Sequence, residues 1–153
     1  MEKNKAIAKA MEYCARSEKS KNEVTFYLEA QGANPDDVDE IIERLVEEKF
    51  IDELRYARAY VADKYRFNSW GRKKISFQLK SKGIPSELIS EAMEDLDPDQ
   101  YYEHLKEQLE KKLGSIKGDN YYEKKSKLMR YATGKGYEMD LIYDAVDEIL
   151  QKT

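Results

Sequence analysis

His104 and Cys14 are the only imidazole and the only thiol in this sequence. They cannot close an internal disulfide or assemble a zinc site of several Cys and His ligands. Carboxylates are plentiful, but they fall on periodic helical faces and show no calcium-loop spacing. There is no Gly-x-x-x-x-Gly-Lys-[Ser/Thr] run to cradle a phosphate, no Gly-x-Gly-x-x-Gly after a strand, and no Gly-x-Ser-x-Gly elbow. A single histidine leaves few options for a general base. These residues predict no enzyme, no metal and no cofactor. The chemistry left open is that of clustered charge.

That charge is segregated. Lys64, Arg66, Arg72, Lys73, Lys74, Lys80 and Lys82 fall within residues 64–82 without one acid, so the remainder carries −11 against a total of −4. Residues 34–48 hold seven acids against Arg44. A basic segment on an acidic body suits docking on one anionic face while the rest repels, although charge runs also arise as plain solvated faces. With Gly71–Lys82 read as a helix, Arg72, Lys73, Ser76 and Lys80 share one broad face, Ile75 and Leu79 point inward, and Lys82 lies on the other side. Such cations meet phosphates or an acidic protein groove through charge-assisted bonds. Arg55 and Arg58 extend the candidate set, though a pair with Asp52 or Glu53 explains Arg55 equally well. Trp70 stands at the mouth of the basic helix, where it could stack on a base, but the adjacent Gly71 favours a packing role.

Other residues read as structure. Tyr56, Tyr60 and Phe77 fall at helical spacing among apolar neighbours and are expected in the core. Asp52 is expected to cap a helix. Tyr101-Tyr102 and Tyr121-Tyr122 should each place one ring inward and one outward. His104 reads as a surface or boundary residue and Cys14 as a small core residue.

The elements that position these residues come as a three-fold repeat. A shift of 51 residues and then of 53 aligns Gly32, Gly83 and Gly136. It also aligns Val38/Ile89/Ile142, Ile41/Ala92/Ala145, Ile42/Met93/Val146 and Leu45/Leu96/Ile149, the i, i+3, i+4, i+7 stripe of an amphipathic helix. Each glycine follows an apparent helix and suits a left-handed stop, with an apolar residue (Ala33, Ile84, Tyr137) next to pack back. Asn34-Pro35-Asp36 and Asp97-Pro98-Asp99 are helix starts, and Ser20-x-x-Glu23 is a capping box. A further helix precedes each aligned pair, over 5–16, 52–67 and 98–113. The expected fold is all-α: three tandem three-helix repeats, helix-turn-helix-like, over 1–50, 51–96 and 97–153, stacked as an elongated, curved, right-angled or solenoid-like rod. Ala132, where the other repeats have Leu28 and Leu79, predicts the loosest packing in the third.

Phe50-Ile51-Asp52-Glu53-Leu54-Arg55-Tyr56-Ala57-Arg58-Ala59-Tyr60-Val61, Trp70-Gly71-Arg72-Lys73-Lys74-Ile75 and Leu79-Lys80-Ser81-Lys82-Gly83-Ile84 together resemble the core signature of the RecX family, regulators of the bacterial RecA recombinase. Arg16-x-x-x-Ser20-x-x-Glu23 is similar to that family's N-terminal pattern. The resemblance implies a non-enzymatic, all-helical protein that lies along the groove of the RecA–DNA filament, suppresses ATP hydrolysis and strand exchange, and restricts filament growth. The expected partners are a RecA-type recombinase filament and single- or double-stranded DNA, the latter bound weakly by this acidic chain alone. A charged amphipathic N-terminus and no long apolar run predict no membrane span and a cytoplasmic protein, which is expected as a monomer. The rival reading is a stand-alone DNA-binding module of helix-turn-helix-like repeats.

Overall fold

The computed structural model describes residues 1–118 and 120–151. Among them are nine α-helices and no strand: α1 Lys3–Arg16, α2 Lys21–Ala30, α3 Pro35–Glu47, α4 Glu53–Asn68, α5 Arg72–Ser81, α6 Ser86–Met93, α7 Pro98–Ser115, α8 Tyr121–Lys135 and α9 Met139–Gln151.

The starts and stops have the local causes that the residues predict. Ser20 Oγ accepts the Glu23 amide and Asn34 accepts that of Asp36. Asp52 accepts the Arg55 amide and Asp97 that of Gln100, so each side chain satisfies a donor the first turn leaves open. Gly32, Gly83 and Gly136 have φ of +85°, +85° and +92°. The residue after each donates its amide five residues back, Ala33 to Leu28, Ile84 to Leu79 and Tyr137 to Ala132, and each of the three is buried. One stop motif is thus written three times.

The structure divides into two compact units, Met1–Tyr60 with Leu79–Ala92, and Val61–Gln78 with Met93–Thr153. In the first unit Ala6, Ile7 and Ala10 of α1 meet Val24 and Leu28 of α2 and Val38, Ile41 and Leu45 of α3. In the second, Tyr101, Leu105 and Leu109 of α7 pack with Leu128 and Ala132 of α8 and with Ile142, Ala145, Val146 and Ile149 of α9. Ala132 does not loosen this core. It is buried in one cluster with the Tyr101 and Tyr137 rings, large side chains that supply volume a leucine would otherwise fill.

Three other expectations need correction. Phe77 is 69% exposed, because it stands two residues from both Ile75 and Leu79, about 200° around the helix from either. Tyr121 and Tyr122 are both exposed, packed edge to face at 5.5 Å. They open α8 directly after the Asn120 cap and so stand in its first turn. The third-helix stripe of the middle repeat is cut short: α6 ends at Met93, and Leu96 lies in the turn before the Pro98 start of α7.

In the second unit α5 begins against the end of α8. The amides of Gly71 and Lys73 donate to the carbonyls of Lys135 (2.7 Å) and Gly136 (2.9 Å). A Cβ on Gly71 would stand 2.5 Å from the Gly136 oxygen, and one on Gly136 would overlap Lys74. Nearby, Tyr65 stacks on Tyr101 at 5.9 Å and tilts over His104 at 4.8 Å. His104 Nε2 is buried without a hydrogen-bond partner among the described residues. Burial, which outweighs the attraction of Glu107, holds this imidazole below the ordinary histidine value, with Lys111 adding to the effect.

Two predictions follow from these packings. Gly71→Ala should lower stability by about 3 kcal/mol, since neither backbone can retreat. Gly32→Ala meets open space and should cost only about 1 kcal/mol for its left-handed φ. Urea midpoints at constant slope measure both. On acidification the unfolded chain takes up a proton at its histidine first, near the ordinary value of about 6.5. Stability should therefore fall as pH drops from 7 toward 5, and His104→Gln should flatten that part of the profile.

Candidate functional site

The middle basic segment separates into cations held by the fold and cations left exposed. In the second unit α4 ends at Asn68, and Ser69 turns the chain with φ +55°. The amide of Trp70 donates to the Lys64 carbonyl (3.1 Å), while the ammonium groups of Lys64 and Lys74 lie 5.1 and 4.7 Å from the Trp70 ring centroid. Two cations over one indole ring use its quadrupole, so the half-buried Trp70 already serves as a platform within the protein. The turn is pinned from the α8 side by Lys135 Nζ to the Asn68 carbonyl (3.1 Å) and Tyr137 Oη to the Ser69 carbonyl (3.2 Å).

Arg72 is committed. Its amide donates to Tyr101 Oη (2.9 Å) and its guanidinium lies 3.8 Å over the Tyr101 ring. The same guanidinium reaches Glu138 at 2.7 Å, and Tyr101 Oη donates to that carboxylate at 2.6 Å. Burial and the Glu138 bond push the Tyr101 phenol far above its ordinary value, so it remains a donor. The first three amides from Gly71 to Lys73 are therefore all bonded within the protein. The start of α5 offers no anion seat, although a helix N-terminus ordinarily does. Of the predicted residues in this unit, Arg66 and Lys73 are exposed to solvent.

In the first unit Arg55 Nε lies 2.6 and 2.8 Å from the two Glu18 oxygens, and its Nη2 donates to the Lys49 carbonyl. That bond steadies a left-handed turn, φ +62° at Lys49. Arg58 pairs with Glu91 at 3.7 Å. Lys82 is half-buried, 5.8 Å from the Tyr60 ring, and its carbonyl accepts from Asn22. Lys80 is exposed.

Two features escaped the reading of the residues. Phe67 is 75% exposed in the second unit, as is Phe26 in the first, and Phe26 stands 51 residues before Phe77. The signal was present as Val24-x-Phe26-x-Leu28 and Ile75-x-Phe77-x-Leu79, where a ring between two inward residues has to face out. A second basic run, 111–135, carries eight cations against Asp119 and Glu123. The acids of the other segments mask it in any sum over the rest of the chain.

Helices written as a repeated cap, stripe and glycine stop define an all-helical protein of three-helix repeats. Models of the first, second and third three-helix domains of RecX match residues 6–45, 52–93 and 99–146. The regulatory protein RecX of Prosthecochloris aestuarii is 28% identical, covering 95% of this chain and 94% of its own. That of Clostridium botulinum (strain Eklund 17B / Type B) is 31% identical over 92% of this chain but 66% of its own length. The crystal structure of RecX from Lactobacillus salivarius superposes with a TM-score of 0.87 at 24% identity, covering 96% of each chain. The chain belongs to the RecX family, a family of regulatory proteins. No helix among the described residues is long and apolar enough to cross a membrane.

The Tyr101–Arg72–Glu138 cluster makes a prediction. Tyr101→Phe leaves the Arg72 amide without its acceptor and removes one donor from Glu138. It should lower stability by about 1–3 kcal/mol in thermal unfolding, with the helical circular dichroism unchanged at 25 °C.

Proposed function

We propose that this chain docks on the DNA-bound filament of a RecA-type recombinase and restrains its ATP hydrolysis, strand exchange and growth. The observation that carries this reading is the match of three RecX domains, in order, along the chain. The exposed residues support it in kind. Arg66, Lys73 and Lys80 supply cations for an anionic groove, while Phe67 and Phe77 supply rings of the sort that anchor protein interfaces. A protein that grips one conformation of a cycling ATPase slows its turnover by shifting population toward that state.

The charge on the third helices argues against a stand-alone helix-turn-helix reader. A helix laid in a DNA groove needs cations or neutral donors near phosphates. Instead α3 carries Asp36, Asp37, Asp39, Glu40, Glu43 and Glu47, α6 carries Glu87 and Glu91, and α9 carries Asp140, Asp144, Asp147 and Glu148.

Purified protein added to a RecA-type recombinase on single-stranded DNA should slow ATP hydrolysis at stoichiometric amounts. The variant Arg66→Glu/Lys73→Glu/Lys80→Glu should need at least about tenfold more protein for half-inhibition, a change of about 1.4 kcal/mol. No inhibition at stoichiometric excess of the unaltered chain would overturn the reading. Full inhibition by the variant would remove these three cations from it.

A further inference from the structure

The second basic run has a geometry of its own. Within the second unit, the last turn of α7, the residues after it and α8 form an open groove of about 520 Å³, lined by Lys112, Ser115, Lys117, Lys127, Arg130 and Tyr131 among others, with no carboxylate among the described residues that line it. Lys112 has a structural reason to be there, because the negative end of the α7 dipole favours a cation in its last turn. That reason does not extend to Lys127 and Arg130, which lie well inside α8. Other lysines of the unit have carboxylates: Lys106 holds Glu103 and Glu148, and Lys125 faces Asp147. Among the described residues no ion pair is made by Lys112, Lys117, Lys127 or Arg130. Four like charges around one groove repel each other, and a bound anion relieves that cost.

We infer that this groove binds the phosphodiester backbone of a single-stranded nucleic acid. The volume falls in the range that takes a nucleotide-sized group. Three lysines and one arginine offer mostly point charges, which suit phosphates without fixing a sequence. Tyr131 supplies a ring in the same groove, with Lys112 Nζ at 5.4 Å and Lys135 Nζ at 5.8 Å from its centroid. Cations around an aromatic ring are what non-specific single-strand sites use, the ring stacking a base while the cations follow the backbone. An acidic protein surface would use the cations and leave the ring without a role. The site is separate from Arg66, Lys73 and Lys80, and its test needs no recombinase, so it can fail while the proposed inhibition stands.

Fluorescence anisotropy of a labelled oligo-dT of about 30 nucleotides, titrated with the full chain from about 50 to 200 mM salt, reads the site directly. The unaltered chain should bind with salt-dependent affinity. Lys127→Glu/Arg130→Glu should weaken binding at least about tenfold and flatten the slope of log affinity against log salt by about 1.4, two contacts at about 0.7 each. Lys117→Glu lies outside the helices and should weaken binding in the same direction, which guards against misfolding of the double variant. Lys5→Glu/Lys9→Glu makes the same change of net charge in the first unit and should leave affinity within about twofold. No binding at the lowest salt, or equal losses in the groove and control variants, overturns the inference. Oligonucleotide binding left intact by Lys127→Glu/Arg130→Glu also overturns it, and loss of recombinase inhibition in that variant would then assign the groove to an acidic protein surface.

Discussion

At the start of α5 the backbone of Gly71 runs against that of Gly136, closer than any residue with a Cβ allows. The contact arises from a supply of donors and acceptors. A helix start leaves amides without partners and a helix end leaves carbonyls without partners, and here the two sets meet. Gly71 and Lys73 donate to Lys135 and Gly136, and Tyr101 takes the Arg72 amide between them. Everything local follows from that docking. Tyr101 must stay a phenol to bridge to Glu138, Arg72 closes the cluster as Glu138's cation, and the Asn68–Trp70 turn is held from α8 by Lys135 and Tyr137.

The same docking sorts the cations. A run of seven positive charges reads as one surface, but tertiary contact assigns them different work. Arg72 completes a half-buried network, Lys64 and Lys74 cover the Trp70 ring, and Arg66 and Lys73 are left to solvent. In the first unit Arg55 is likewise used up in holding the Lys49 turn through its carbonyl and through Glu18. Fewer cations face solvent freely than the sequence contains, and the rest fix the local frame. The third helices are acidic and repel a polyanion, whereas α5 and α8 carry the largest cationic excess among the helices.

Much of the fold was legible because its signals are local. Ser20, Asn34, Asp52 and Asp97 cap the helices they precede, and the three glycines stop theirs in the left-handed region, because a cap depends on its own three or four residues. The site was less legible. Phe77 has apolar neighbours at helical spacing, yet it stands about 200° from Ile75 and Leu79 and faces out, and the tyrosine pair opening α8 has no inward member in that first turn. The cations of 111–135 do not show in a total charge, which averages over the whole chain.

The sequence by itself determined the helices, their ends, the three-fold pattern and the family, since periodicity and capping act within one or two turns and are written in the order of the residues. Only the tertiary structure decided which cations are exposed, that Gly71 meets Gly136, and that Lys112, Lys127 and Arg130 line one groove. Those facts depend on residues far apart in the chain, such as Arg72 and Glu138 at 66 positions. Pairing at that range is set by which buried donors and acceptors can satisfy each other, and no local pattern encodes it.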